Sequence, residues 1–343
     1  MLVSILLPAY NAASTLHATL ETVFAQDWTD WEIIIVDDAS EDDTLAQAHL
    51  SATRYPDQIR VLANAHNEGS GATRNRALAA SNGTYIASFD ADDLWSASKL
   101  RQQVAALEKH SRAGLVWGPG WYANATGEPT RLQEIPLSDA QQLLEPPQLV
   151  ELLLDGVAPF TSSVMVRRTV AMAVGGYELL RRGQDMSFLY KIATAWPTLY
   201  DPQPLCRYRL HEGSSTRWTE RNLVYAQRDD AYYRWLAGYL ASVPTVAHLA
   251  PQAQRLINNQ RLLVMAEQAV ATLTPAEGKA LWRAIKDGAD LRGVAGYRQV
   301  RQLCSEADGA HMPAETAAAV LATLEYSAAN IPNRDAKDAS APA

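Results

Sequence analysis

Cysteine is scarce in this 343-residue chain, with Cys206 and Cys304 the only two. Two distant thiols exclude a disulfide-stapled secreted framework and read as buried thiols in a reducing compartment. Basic residues are outnumbered, 30 Lys and Arg against 38 Asp and Glu, for a formal charge of −8. Such a chain has no general attraction to nucleic-acid backbones or anionic lipid. Long apolar runs are also missing, since no stretch approaches the roughly 18 residues a membrane helix needs and the best candidates are broken by Gln, Arg or Pro. Met1 to Leu7 is apolar but lacks a basic leader and a small-residue cleavage site, so it reads as a first strand. The expected location is cytoplasmic, with peripheral docking at the inner face of a membrane still open to it.

Several catalytic signatures are absent as well. There is no GxGxxG dinucleotide fingerprint, no GxxxxGK[ST] phosphate loop and no GxSxG elbow, and neither cysteine has a local histidine partner. Acyl-enzyme chemistry therefore has no support. What is present is ample apolar material, 48% hydrophobic against 20% charged residues, enough for a sizeable core.

Through the first third, β-branched runs alternate with helical patterns, the mark of a largely parallel sheet flanked by helices. Strands are expected at Leu2 to Leu7, Trp31 to Val36, Ile59 to Leu62 and Thr84 to Phe89. Helices are expected behind Ser14 as N-cap, from Asp42 to Arg54 and after Gly71. From Gly118 to Pro147 the chain reads as loop, broken by Gly127, Pro129, Pro136, Pro146 and Pro147. A helix resumes at Gln148, a strand follows at Thr161 to Val166, a helix at Gln184 to Ala195 and a last strand at Leu205 to Leu210. The resulting division is 1–219 as the principal domain, with 1–117 its nucleotide-binding half and 118–219 its acceptor-side half. Residues 220–330 form a helical C-terminal region, carrying Leu263, Ala266, Val270 and Leu273 at helical spacing and a further helix opened by Thr274 and Pro275. Residues 331–343 are an expected disordered tail.

Polar residues gather at the strand ends: Tyr10 and Asn11, Asp37 and Asp38, Asp90 and Asp92. In open α/β sheets ligands bind beyond the carboxyl ends of the strands. Asp90 and Asp92, two apart, can converge on a divalent cation, and hard carboxylate oxygens favour Mg2+ or Mn2+ with positions left for water and phosphate. Taken alone, the aspartates read better as caps of the helix near Ser96 and Ser98, and Ser40 and Asp42 as turn residues. Independent caps, however, have no reason to collect on one edge. Asp38 is placed to accept bonds from a base or ribose, and Arg74 to hold phosphate or base, against a bland reading as a surface ion pair. Asp185, at a loop-to-helix junction after Gly183, is a candidate general base. His211 is an isolated histidine that can return to the cation. The other histidines show no ligand spacing, and Trp95, Trp117, Trp121, Trp196 and Trp218 read as packing residues more readily than as sugar platforms.

The ordered set Pro8-Ala9-Tyr10-Asn11, Val36-Asp37-Asp38-Ala39-Ser40, Asn67-x-Gly69 through Arg74-Asn75, and Asp90-Ala91-Asp92-Asp93 resembles family 2 glycosyltransferases. The resemblance continues through Gly175-Gly176-Tyr177, Gln184-Asp185 and Tyr208-Arg209-x-His211, covering about the first 215 residues. It implies the GT-A fold, a Rossmann-like, mostly parallel sheet flanked by helices, here followed by an all-helical appendage. It also implies inverting transfer of a sugar from a nucleotide diphosphate, UDP-sugars being favoured, to a glycan, lipid-linked saccharide or other hydroxyl acceptor, assisted by Mn2+ or Mg2+. On that resemblance Pro8 and Tyr10 line the base pocket, Asp38 holds the base and Arg74 supports the nucleotide. Asp90 approaches the ribose or the metal, Asp92 is the principal metal ligand, and Asp185 is the base. Gln184 departs from the family pattern, standing where an acid is frequent, and Ala39 stands where glycine is common. The region beyond Glu220 lacks the Gln-x-x-Arg-Trp run of processive synthases, which favours single addition. A nucleotidyltransferase would want a similar sheet and paired carboxylates but lacks its Gly-rich, Lys-containing loop here. An inactive sugar-nucleotide-binding scaffold is opposed by intact Asp92 and Asp185.

Overall fold

β1 (Val3–Ala9) and β2 (Trp31–Asp37) consist largely of apolar and β-branched side chains, almost all buried, as a strand covered on both faces requires. They pair in parallel, Ile5 beside Ile33 and Ala9 beside Asp37. The computed structural model describes residues 1–211 and 226–254. Between the two strands α1 (Leu16–Phe24) turns Leu16, Thr19, Leu20 and Val23 inward. Its N-cap is Thr15 rather than the expected Ser14, and no side chain caps it, because the Thr15 hydroxyl turns back to the Ala12 carbonyl at 3.1 Å. The expected alternation then continues through α2 (Thr44–Arg54), β3 (Ile59–Ala63), α3 (Ser70–Ala80) and β4 (Tyr85–Ser88).

Further along come β5 (Leu94–Trp95), α4 (Lys99–Lys109) and β6 (Leu115–Trp117). The stretch expected as loop between Gly118 and Pro147 holds three short strands, β7 (Trp121–Ala123), β8 (Pro129–Leu132) and β9 (Gln142–Leu144). Each has only three or four residues, too few to show a period of two. After α5 (Gln148–Leu154), the strand expected at Thr161 to Val166 is instead a 3-10 turn over Thr161–Ser163 followed by β10 (Met165–Arg167). The hydroxyl and amide of Ser163 both bond the Phe160 carbonyl at 2.8 Å, closing a turn where a strand would have run straight. α6 (Arg168–Ala173), α7 (Gln184–Ala193), β11 (Thr198–Tyr200), β12 (Cys206–Arg209) and α8 (Ala226–Ser242) follow among the described residues.

Eight strands form one sheet in the order β3-β2-β1-β4-β10-β6-β11-β9. The first four are parallel, β10 runs antiparallel to β4 and β6, and β9 runs antiparallel to β11. With β2 and β3 on one side of β1 and β4 on the other, the connections reverse direction at β1, which opens a crevice beyond the carboxyl ends of β1 and β4. A second sheet, β5-β12-β7-β8, covers another part of the fold. Ile5, Leu7, Leu20, Ile33, Ile35, Tyr85, Phe89, Val104 and Met165 belong to the main apolar core.

One compact unit comprises residues 1–221 and 235–251. Its later part buries Leu236, Leu240 and Val246 completely, and the Tyr239 hydroxyl lies 2.8 Å from Thr194 Oγ1. A second unit takes in 222–234 and 252–343 and is described only over 226–234, which opens α8, and 252–254. The helical spacing expected from Leu263, the helix at Thr274, Cys304 and the tail lie outside the described residues. Among the described residues no helix is long and apolar enough to cross a membrane.

Candidate active site

Pro8, Tyr10, Asp38, Arg74, Asp90, Asp92, Asp185 and His211 all line one cleft of about 1360 Å³ at the carboxyl ends of β1, β2 and β4. Eight residues from six separate stretches of sequence thus meet in one place. The chemistry differs around the wall because each segment is held differently.

The acidic run is a turn, with the Asp93 amide bonded to the Asp90 carbonyl at 3.1 Å. The two cleft-lining carboxylates therefore take different partners instead of sharing one strand face. Asp90 pairs with the Arg74 guanidinium in a largely buried ion pair. Burial raises the Asp90 carboxyl above its usual range, opposed by Arg74 and reinforced by Asp92 and Asp185. Asp92 turns the other way, its Oδ2 lying 3.0 Å from His211 Nε2, with both side chains partly open to the cleft. β12 thus returns His211 to the acidic turn.

Asp93 has a third fate. It is fully buried, accepting from Ser162 Oγ at 2.6 Å and from the Arg209 amide at 3.1 Å. Burial first, then the nearby Asp92 and Asp90 charges, push its carboxyl well above the ordinary value. The Arg209 side chain donates to the Asp92 carbonyl and to Thr19 Oγ1 at 2.9 Å. The Thr19 hydroxyl in turn lies 3.0 Å from the Ala91 carbonyl and 2.9 Å from that of Asp93. The backbone between Ala91 and Asp93 is thereby fixed from behind by α1 and β12.

Arg74 is 4% exposed, which excludes the surface ion pair, and its guanidinium lies 5.7 Å from the Tyr177 ring centre. Its Nε and Nη1 have no partner among the described residues, so a buried cation keeps donors that an anion would satisfy. Asp38 accepts three bonds, from Asn64 Nδ2 at 2.7 Å, the Glu68 amide at 2.8 Å and the Gly69 amide at 2.9 Å. That leaves about one of a carboxylate's four acceptor sites for a ligand, so Asp38 also shapes the loop leading into α3. Asn64 went unrecognised in the sequence, although as a polar residue directly after β3 it obeys the same strand-end rule. Ala39, where the family commonly has glycine, holds a left-handed φ of 60°, a conformation that costs an L-residue roughly 1–2 kcal/mol.

Asp185 opens α7, following Gly183 in the left-handed region. Its Oδ2 accepts from Thr161 Oγ1 at 3.1 Å and its Oδ1 from the Met186 amide at 2.8 Å. Gln184 bonds Ser70 at the start of α3, so the departure from an acid is used as a neutral tie between α7 and α3. Of the tryptophans, Trp95 stacks on Phe89 at 3.8 Å and Trp117 packs against Tyr200, both in the interior. The aromatic lining of the cleft comes instead from Tyr10, Tyr122, Phe160 and Tyr208.

A family model, Glycosyl transferase family 2, matches residues 4–181. EpsE of Bacillus subtilis (strain 168), a glycosyltransferase by name, is 32% identical over 184 residues, 54% of this chain and 63% of EpsE. The Escherichia coli protein WfgD, named a UDP-Glc:alpha-D-GlcNAc-diphosphoundecaprenol beta-1,3-glucosyltransferase, is 36% identical over 111 residues, 32% of this chain and 42% of WfgD. Both matches therefore span less than two thirds of the relative. Among solved structures, S. aureus TarS 1-349 in complex with UDP-GlcNAc superposes with a TM-score of 0.62 at 16% identity, covering 97% of this chain and 93% of that one. The mannosyltransferase PcManGT from Pyrobaculum calidifontis, in complex with GDP-Man and Mn2+, gives 0.55 at 17% identity over 95% and 86%. At such identities these likenesses speak to the fold, which is that of GT-A glycosyltransferases.

Proposed function

The chain belongs to glycosyl transferase family 2, and from that premise we propose that its cleft moves a sugar from a nucleotide diphosphate to an acceptor hydroxyl with inversion. The observation that supports this most is the meeting of Arg74–Asp90, Asp92–His211 and Asp185 on the wall of one cleft. UDP is the favoured nucleotide, and a glycan or lipid-linked saccharide the favoured acceptor. The related WfgD takes UDP-Glc and a lipid-diphosphate sugar by its name.

Pro8, Tyr10 and the remaining acceptor site of Asp38 receive the base. Arg74, held by Asp90, presents its free donors to phosphate. Asp92 and His211 are the pair that would hold a cation. Among the described residues no group of three or more His, Cys, Asp or Glu forms a metal set, so a cation held by this pair would need diphosphate oxygens and water as further ligands. One oxygen and one nitrogen ligand favour Mn2+ over the more strictly oxygen-seeking Mg2+. A bound cation there would offset negative charge on the departing diphosphate. Asp185 takes the acceptor hydroxyl proton while that oxygen bonds the anomeric carbon and the carbon–diphosphate bond breaks on the opposite side. One displacement inverts the centre, and the proton ends on Asp185. The location that suits a lipid-linked acceptor is the cytoplasm or the inner face of the membrane, where such an acceptor would be reached peripherally.

The test is a panel of nucleotide-sugars screened for Mn2+-dependent hydrolysis and transfer, repeated with Asp185→Asn. That variant is expected to bind donor as wild type does and to lose about 10²–10⁴ in transfer rate, the usual contribution of general base catalysis. Undiminished turnover would remove Asp185 as the base.

A further inference from the structure

The cleft is larger than one substrate requires, since pockets for single small ligands run about 300–1,000 Å³ and this one measures about 1360 Å³. Part of its wall is aromatic and is not needed for the groups assigned above. Tyr122 comes from β7, Tyr208 from β12 and Phe160 from the loop before the 3-10 turn. The Phe160 and Tyr208 rings stack at 4.9 Å and 9°, and Tyr122 stands edge-on to both at 5.0 and 6.2 Å. Arg131 of β8, a strand exposed along its whole length, lies over the Tyr122 ring at 4.2 Å. Its guanidinium has no hydrogen bond or ion pair among the described residues, yet it lines the cleft. Gln133 ties the end of β8 to the Ala158 carbonyl at 2.7 Å, so the hairpin is fastened to the loop that carries Phe160.

We propose that this wall is the acceptor subsite, and that Arg131 makes it select saccharides carrying a phosphate or diphosphate next to the accepting sugar. The inference rests on the glycosyltransferase reading of the same cleft. Aromatic faces and edges suit the C–H surface of a sugar ring without fixing its charge. A guanidinium held over the Tyr122 ring, its carbon 4.2 Å from the ring centre, keeps its planar fork of donors ordered at little entropic cost, and that fork matches phosphate geometry. The whole chain is acidic, at −8, so an anionic acceptor needs a local cation to be held here. A free sugar phosphate and a lipid diphosphate sugar share this chemistry.

The test fills the nucleotide site first, with saturating UDP and Mn2+. It then measures binding of the 1-phosphates of glucose, galactose and N-acetylglucosamine against their neutral methyl glycosides by ligand-observed NMR. At least one 1-phosphate should bind about tenfold or more tightly than its methyl glycoside, the worth of a charge-assisted bidentate contact. Arg131→Ala should abolish that preference and Arg131→Lys should restore part of it, both with unchanged UDP affinity. Tyr122→Leu should weaken both forms of the sugar alike. In a further arm, an N-acetylglucosamine diphosphate on a short phenoxyalkyl chain competes with the 1-phosphate; stronger competition marks a lipid-linked source and equal competition a soluble one. No binding of any sugar to UDP-loaded protein, or a preference that survives Arg131→Ala, overturns the subsite. Failure of UDP itself to bind would instead strike at the glycosyltransferase reading.

Discussion

Two buried charged residues show how differently single side chains can be accommodated. Arg74 is buried opposite Asp90, and its partner keeps the guanidinium more basic than usual despite the desolvation that opposes it. Among the described residues Lys99 has no such partner: fully buried, it donates to Gln103 Oε1 at 2.6 Å and lies 4.2 Å from the Trp95 ring centre. Burial lowers its value from 10.5 to about 7. The sign of the consequence follows from proton counting. Between about 7 and 10.5 the unfolded chain carries a proton on this side chain that the folded chain does not, so Lys99 makes stability rise with pH across that window. The slope from one such group is at most about 1.4 kcal/mol per pH unit. Urea unfolding of wild type and Lys99→Met at pH 7, 8 and 9 should therefore show the stability difference shifting in favour of wild type as pH rises. Parallel profiles would contradict a neutralising buried lysine.

Among the elements, α3 and α7 are coupled through the Gly175-Gly176-Tyr177 segment. Asn75 on α3 accepts from the Tyr177 amide and donates to its carbonyl, both at 2.8 Å. The Tyr177 ring stacks on Phe188 of α7 at 4.2 Å, and its hydroxyl lies 2.6 Å from Ser88 Oγ at the end of β4. The helix bearing Asp185 is thus joined to the helix bearing Arg74 and to the strand leading to Asp90. Gly176 permits this, since it has a φ of 69° and a Cβ there would stand 2.4 Å from Asn75 Oδ1. Gly175 has a φ of 74° but nothing within 4 Å of its would-be Cβ. Both alanine substitutions carry the strain of a left-handed φ, about 1–3 kcal/mol, and Gly176→Ala adds the Asn75 clash, at roughly 2–4 °C of Tm for each kcal/mol in a domain of this size. Gly175→Ala should cost clearly less, and equal losses would show that the Asn75 contact contributes nothing. These ties were not legible in the sequence, because Asn75 and Tyr177 are 102 residues apart and neither belongs to a periodic pattern. β1 and β2 were legible, being seven-residue apolar runs that end in polar residues. β5 and β7, at two and three residues, carry no period to read.

At the scale of the whole molecule, the sheet order decides where chemistry can occur. Strands diverging on either side of β1 leave a crevice, and the strand-end rule located Tyr10, Asp38, Asp90 and Asp92 on its wall without coordinates. The rule could not divide labour within the Asp90–Asp93 turn. That division depends on Arg74, His211, Ser162 and Arg209, which reach the turn from 16 to 119 residues away. Asp93, which looked like a cap, is a buried anchor, and Asp92 is the carboxylate left facing His211. If that pair holds a cation together with a nucleotide diphosphate, each ligand must stabilise the protein more in the presence of the other. The most direct measurement is thermal unfolding with UDP at about 100 times its Kd, in Mn2+ and again in excess EDTA, for wild type and Asp92→Asn. UDP with Mn2+ should stabilise the wild type by about 2.7 kcal/mol at that ratio, with little effect in EDTA and little in Asp92→Asn. Equal stabilisation by UDP in Mn2+ and in EDTA would contradict the account.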